Sequence, residues 1–260
     1  MPKYIFFDVD GTLSTKWPFT IPESTKKAIR ALRKNGHFVS IATGRPIEVI
    51  NPYAKTLDID TYVCNGGAVV VKNYEKIIKE ELNQELCFAL LEYLEERHIP
   101  YAVSVDEKFT FLHRKGEAYP EHIPQHFIDE VMRDCDFNIH ELPTIQRICV
   151  LASSKTLLDF GHKEFIDQGY DIGMYMIEPD DKYRGIELLM DHFGYPKEDI
   201  VVFGDGENDM KMFNDAPLSI AMGNSVPPLK EIADYVTSHV EEDGILNACL
   251  HFGWIQEKDL

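Results

Sequence analysis

Three separate stretches of this chain follow one order: an apolar, β-rich run, then a cluster of small and polar residues, then a helical segment. They are Ile5-Phe6-Phe7 into Asp8-Val9-Asp10-Gly11-Thr12, Val39-Ser40-Ile41-Ala42 into Thr43-Gly44-Arg45, and Val201-Val202-Phe203 into Gly204-Asp205-Gly206-Glu207-Asn208-Asp209. Runs this apolar belong to strands buried on both faces, as in a parallel sheet covered by helices. In such a sheet the strands end at one edge, and ligands bind in the crevice outside those carboxyl ends. The three clusters are therefore expected to meet in space, although they lie far apart along the chain.

The intervening pattern supports that architecture. Helices are predicted over Pro22–Asn35, where Pro22 suits the first helical position and Thr25, Ala28, Ile29 and Leu32 share a face, and over Pro46–Leu57. Tyr62-Val63-Cys64 reads as a third strand. Alternating strands and helices of this kind make βαβ units. The middle differs. A helix is predicted from Leu82 to Arg97, then a hairpin of Tyr101–Val105 and Phe109–His113 around Asp106-Glu107. A helix near Pro124–Arg133, a strand at Ile145–Ala152, a helix at Lys155–Gln168 and a strand at Tyr170–Ile177 follow. After it the alternation resumes with a helix beyond Arg184, the strand ending at Phe203, a helix at Asn208–Asn214 and a strand at Leu218–Ala221. Helices near Pro227 and Asp243 flank the short edge strand Tyr235-Val236. The expected fold is α/β: a Rossmann-like parallel-sheet core, residues 1–80 and 179–260, with an inserted α+β domain over residues 81–178.

Composition narrows the partners. A formal net charge of −18 over 260 residues would repel a phosphate backbone or an anionic membrane, so neither nucleic acid nor membrane is expected as a partner. No apolar run approaches the roughly 20 residues of a membrane-spanning helix. The five cysteines are scattered without a CxxC pair, which disfavours a disulfide scaffold or a thiolate zinc site and leads to the expectation of a reduced, cytoplasmic protein, monomeric or homodimeric.

Convergence of Asp8, Asp10, Asp205 and Asp209 would crowd carboxylates that repel one another unless a cation sits among them. Oxygen donors without His or Cys favour Mg²⁺, which commonly leaves coordination positions for a substrate phosphate. The Thr43 hydroxyl, nearby N–H groups and a cation such as Lys182 could hold the other phosphate oxygens. A carboxylate is also a competent nucleophile toward phosphorus. Asp8 and Asp10, two apart on an extended segment, can face one way, so one can attack while the other handles the proton.

At this point the chain resembles a family. Asp8-Val9-Asp10-Gly11-Thr12, Thr43-Gly44, Lys182 and Gly204-Asp205-Gly206-Glu207-Asn208-Asp209, in that order, look like the four motifs of haloacid dehalogenase superfamily phosphatases. Cys64-Asn65-Gly66-Gly67-Ala68 and Ala221-Met222-Gly223-Asn224-Ser225 resemble its Cof-type branch, whose type-IIB cap lies where the α+β insert falls here. The resemblance implies Asp8 as nucleophile and metal ligand, and Asp10 as general acid/base with its backbone carbonyl on the metal. It implies Asp205 as a further Mg²⁺ ligand and Asp209 as an outer acid orienting the metal site. Thr43, Gly44, Lys182 and Asn208 match phosphate binders. In Lys182-Tyr183-Arg184-Gly185 two residues separate the lysine from the glycine that directly follows it in many relatives, which leaves Arg184 as an alternative phosphate cation.

The expected activity is hydrolysis of a small phosphorylated metabolite through an aspartyl-phosphate. A phosphohexomutase using the same intermediate, and a non-catalytic sugar-phosphate-binding or phospho-acceptor protein, are the competing readings. Arg114, Arg147, Lys108 and Tyr119 of the insert would suit a sugar or polyol phosphate. Arg45 could neutralise substrate charge or pair with a neighbouring acid, and Trp17 with Phe19 could form a flap over the site or pack on the core. Glu241-Glu242-Asp243 reads as a charged helix start. An EF-hand is excluded, since counting from Asp8 puts Leu13 where the loop glycine belongs.

Overall fold

A computed structural model describes residues 2–16, 19–106, 110–166, 169–171 and 173–260. The chain divides into two compact units, residues 1–79 with 181–260, and residues 80–180.

The first unit is built on a five-stranded sheet. Its order is Tyr235–Val236, Ser219–Ala221, Ile200–Gly204, Tyr4–Phe7, Phe38–Ile41, with every pairing parallel. Ile5, Phe6 and Phe7 are fully buried, as their apolar run requires. One sheet face packs on the helices Glu23–Lys34 and Gly244–His251 through Ala28, Ile29, Leu32, Ile245 and Ala248. The other packs on Lys182–Phe193 and Met210–Asp215 through Ile186, Leu189, Met190, Met212 and Phe213. The mixed α/β order is thus a doubly wound sheet. Tyr4–Phe7 lies between Ile200–Gly204 and Phe38–Ile41, so the chain winds in opposite directions on its two sides. That is the topological switch, where the crevice at the strand ends opens.

The third strand departs from a simple βαβ repeat. Thr61–Cys64 pairs with the core sheet through an isolated parallel bridge, Ala42 to Val63, and the Ser40 hydroxyl donates to the Thr61 carbonyl. The strand then opens an antiparallel meander with Val69–Lys72 and Glu75–Lys79. The tight turn between the last two, Asn73-Tyr74, places both residues at positive φ, 52° and 64°. Right-handed strand twist favours such a turn, although glycine is its usual occupant.

The second unit has a six-stranded, mainly antiparallel sheet in the order Tyr170–Asp171, Tyr175–Ile177, Arg147–Val150, Tyr101–Ser104, Phe111–Arg114, Met132–Cys135. The hairpin of Tyr101–Ser104 and Phe111–Arg114 is present, with Ala102 opposite His113. Helix Gln84–Glu96 covers one face through Leu90, Leu91 and Leu94. Two local expectations fail here. The helix predicted near Pro124–Arg133 ends at Val131, and Met132–Cys135 is a strand parallel to Phe111–Arg114. Among the described residues, the helix predicted over Lys155–Gln168 is a 3-10 turn at Ser154–Leu157 and one α-turn at Lys163–Ile166, and positions 167 and 168 lie outside them. Gly161 between the two turns adopts φ +83°, a conformation no helix continues through.

Candidate active site

The site grows from the carboxyl ends of the two central strands. The Asp8 N–H donates to the Phe203 carbonyl at 3.0 Å, which extends the sheet register by one residue. Beyond it the chain coils back, with Leu13 N–H bonding the Asp8 carbonyl and Ser14 N–H bonding the Val9 carbonyl. Gly11 stands at φ +88°, and a Cβ there would lie 2.4 Å from Asp205 Oδ2. Only glycine permits both the left-handed turn and this approach of the first loop to the last.

On the neighbouring strand, Gly204 ends the sheet and Asp209 folds back over it. Asp209 Oδ2 accepts the N–H groups of Asp205 at 2.9 Å and Gly206 at 3.0 Å. Its other oxygen, Oδ1, accepts from Lys182 Nζ at 2.6 Å, and the same ammonium donates to Asp8 Oδ1 at 2.8 Å. Carboxylate oxygens of Asp8, Asp205 and Asp209 lie within 4.8 Å of one another, and all three residues are buried. The convergence expected from the strand ends is therefore present for these three acids and for Lys182.

Burial raises the pKa of Asp8, with Asp209 and Asp205 adding to it and Lys182 opposing. Burial raises Asp205 too, against the Lys16 ammonium at 2.8 Å. For Lys182 burial acts downward, but Asp209 and Asp8 more than compensate and its pKa rises. Three closely packed carboxylates thus exceed the one buried ammonium among them. An all-oxygen donor set with surplus negative charge fits a hard divalent cation.

The remaining predicted residues take distinct places. The Asp10 side chain is not in the acid cluster: both of its oxygens face the Arg45 guanidinium, with Nε at 2.7 Å from Oδ2 and the second contact from NH2 to Oδ1. Its expected share in the metal site is through its backbone carbonyl. Thr43 is buried two residues past Phe38–Ile41, its N–H on the Val63 carbonyl and its hydroxyl accepting the Arg45 N–H at 3.2 Å. Gly44 is half-buried, with open space where a side chain would project. Asn208 is exposed, with Oδ1 2.6 Å from where a Gly206 Cβ would stand. Arg184 is exposed whereas Lys182 is 1% exposed and holds both acids, so Lys182 is the cation of the cluster. In the second unit Arg114 pairs with Glu95, Arg147 with Glu178 at 2.5 Å, and Tyr119 bonds Asp134. Lys108 and Trp17 lie outside the described residues.

Sequence reasoning gave no site role to four residues that the structure places here. Lys16 reaches Asp205 from the segment after the first motif, and no spacing announces it. Asn224 Nδ2 donates to the Gly11 carbonyl at 2.7 Å and lies 3.4 Å from Asp205 Oδ2, while its Oδ1 accepts the Val240 N–H. Gly67 and Gly185 explain the spacing after Lys182. A Cβ on Gly185 would lie 2.4 Å from the Gly67 carbonyl oxygen, and one on Gly67 would lie 1.9 Å from that of Asp181. The glycine three residues beyond the lysine seats the helix start on the Asn65–Gly67 loop, so the two intervening residues leave the lysine in place.

A family model for haloacid dehalogenase-like hydrolases matches residues 5–249. The chain therefore belongs to that family, and as an enzyme it stands among its phosphatases. It is 29% identical to the Bacillus subtilis protein YkrA over 98% of this chain and 99% of that one. It is 27% identical to the 5-amino-6-(5-phospho-D-ribitylamino)uracil phosphatase YitU of Bacillus subtilis, covering 94% and 95% of the two chains. Among solved structures it resembles the subclass IIB sugar phosphatase BT4131, with a TM-score of 0.75, 28% identity and coverage of 97% and 100%. Among the described residues no helix is long and apolar enough to cross a membrane.

Proposed function

We propose that this protein is a Mg²⁺-dependent phosphomonoesterase of the cytoplasm that hydrolyses small phosphorylated metabolites, sugar or polyol phosphates foremost. The observation that carries the reading is the buried group of Asp8, Asp205 and Asp209, two of which, Asp8 and Asp209, share the Lys182 ammonium. Asp8, Asp205 and the Asp10 backbone carbonyl would hold the ion, with Asp209 fixing the Asp205 loop through its N–H bonds. Bound there, a divalent cation supplies positive charge for the phosphoryl group and for the crowded acids. The descriptions of YitU and BT4131 support phosphate monoesters of polyols or sugars as the substrate class. We assign substrate selection to the inserted unit, residues 80–180.

Asp8 acts as nucleophile. One of its carboxylate oxygens bonds to phosphorus, the bond from phosphorus to the leaving oxygen breaks, and that oxygen takes the electron pair and a proton from Asp10. Water then bonds to phosphorus and gives a proton to the Asp10 carboxylate. The bond to Asp8 breaks, which releases inorganic phosphate and restores the carboxylate. Lys182 neutralises charge on Asp8 throughout, and Thr43, Gly44 and Asn208 bind the phosphoryl oxygens.

The test is phosphate release from 4-nitrophenyl phosphate with Mg²⁺. Release should vanish with EDTA, return on adding Mg²⁺, and be absent in Asp8→Asn. Full activity of Asp8→Asn would end the reading, and hexose phosphates isomerised without free phosphate would transfer it to the mutase class.

A further inference from the structure

Asp10 must hold its proton at the leaving oxygen and then accept one from water, so its carboxyl has to be aimed. The acid cluster does not aim it: among the described residues the carboxylate oxygens grouped together are those of Asp8, Asp205 and Asp209. Both Asp10 oxygens instead meet one guanidinium, through Arg45 Nε and NH2. Two parallel N–H···O contacts fix the plane and rotamer of a carboxylate in a way that one ammonium cannot.

Two aromatic rings lie against the guanidinium. Its central carbon lies 4.8 Å from the Phe19 ring centroid and 5.3 Å from that of Tyr53, both within cation–π range. Its main chain is tied to the neighbouring motif, since the Arg45 N–H donates to the Thr43 hydroxyl. Arg45 is 19% exposed at the side chain, against 36% for Asp10. The better-packed partner is therefore the cation, and the acid is the one that faces outward.

We propose that Arg45 is the positioning residue for proton transfer: its fork, packed against Phe19 and Tyr53, orients Asp10 and stabilises the carboxylate that Asp10 becomes once the leaving oxygen has taken its proton. This rests on the aspartyl-phosphate reading given above. Arg45 need not touch the substrate to matter. Its effect falls on the half-reaction in which a basic leaving group needs a proton, and is small where the leaving group departs as a stable anion.

Leaving-group dependence separates this role from a structural one. For wild type, Arg45→Ala, Arg45→Lys and Asp10→Asn, kcat/KM is measured with Mg²⁺ on 4-nitrophenyl phosphate and on phenyl phosphate, whose phenoxide is the more basic. Arg45→Ala should lose about tenfold more on phenyl phosphate than on the nitrophenyl ester, a part of the full general-acid contribution. Arg45→Lys, which keeps the charge without the fork, should fall between and carries the test should the alanine variant misfold. In the Asp10→Asn background, Arg45→Ala should add no further leaving-group dependence, because the two residues act as one unit. Equal losses on both esters overturn the proposal while leaving the phosphatase reading intact. No phosphate release by wild type from either ester removes both.

Discussion

Lys182 Nζ lies 2.6 Å from Asp209 Oδ1, and neither side chain has any exposure to solvent. The same ammonium reaches Asp8 at 2.8 Å, so one cation serves two acids that follow neighbouring strands. Removing it leaves two buried carboxylates uncompensated. Lys182→Met should lower unfolding stability in EDTA by about 3–5 kcal/mol, the usual cost of orphaning one side of a buried pair. The double variant Lys182→Met/Asp209→Asn should regain part of that loss, because one of the stranded charges is gone. Urea denaturation of the four proteins checks this. Strictly additive losses would mean that the contact contributes nothing of its own.

Gly185 is the place where the helix carrying Lys182 rests on the Gly67 backbone, with 2.4 Å between a hypothetical Cβ and the Gly67 oxygen. Backbone cannot yield as a side-chain tip does, so Gly185→Ala should push the helix start outward and move the ammonium with it. The expected cost is about 1–3 kcal/mol, typical of overpacking, with a marked fall in kcat. Gly36→Ala is the control. It has φ +85° but nothing within 4 Å of its Cβ position, so it should lose about 1–2 kcal/mol from the left-handed conformation and keep its activity. Similar kcat values for the two variants would contradict the packing argument.

The thiols give a prediction about the interior. Burial pushes Cys87 and Cys149 up to about 12, and raises Cys249 as well. Cys135 is half-buried, and burial with Asp136 and Asp134 nearby raises it too. Since the thiolate is the reactive form, native protein at pH 8 should react with a disulfide reagent slowly and at Cys135 alone. All five cysteines should react after unfolding. Fast native labelling of Cys87 or Cys149 would show that the inserted unit opens locally.

What could be read in advance follows from where the information is held. The acids at the ends of Tyr4–Phe7 and Ile200–Gly204 were legible because parallel strands share an edge, so apolar run plus polar cluster implies position. The helices from Glu23 and Lys182 were legible by their 3.6-residue periodicity. The meander through Val69–Lys79 was not, because its turn uses Asn73-Tyr74 at positive φ rather than the glycine that marks such turns. Around Lys155–Gln168 the apolar spacing suited a helix, and Gly161 overrode it. Lys16 and the Gly67–Gly185 contact depend on approach between distant segments. Arg45 could be singled out by its place after Thr43-Gly44, but its partner emerged only from the geometry.

Asn224 joins three segments that the site needs in register. Its amide donates to the Gly11 carbonyl at 2.7 Å and lies beside Asp205, while its oxygen receives the Val240 N–H at 2.9 Å. Gly11 belongs to the loop after Asp8, so this side chain fixes the distance between the first acidic loop and the last. An outer partner that orients metal ligands typically changes metal affinity or activity by about 10–100-fold when removed. Asn224→Ala should therefore raise the Mg²⁺ concentration for half-maximal phosphate release by about that factor, with much of kcat recovered at saturating metal. Asn224→Asp keeps the acceptor for Val240 but sets a negative charge against the Gly11 carbonyl and Asp205. Repulsion should loosen the Gly11 loop, so this variant should lose kcat even at saturating metal. A magnesium titration of wild type and both variants, with thermal unfolding measured alongside, separates the two effects. An unchanged magnesium requirement in Asn224→Ala would reduce this residue to a loop tether remote from the chemistry.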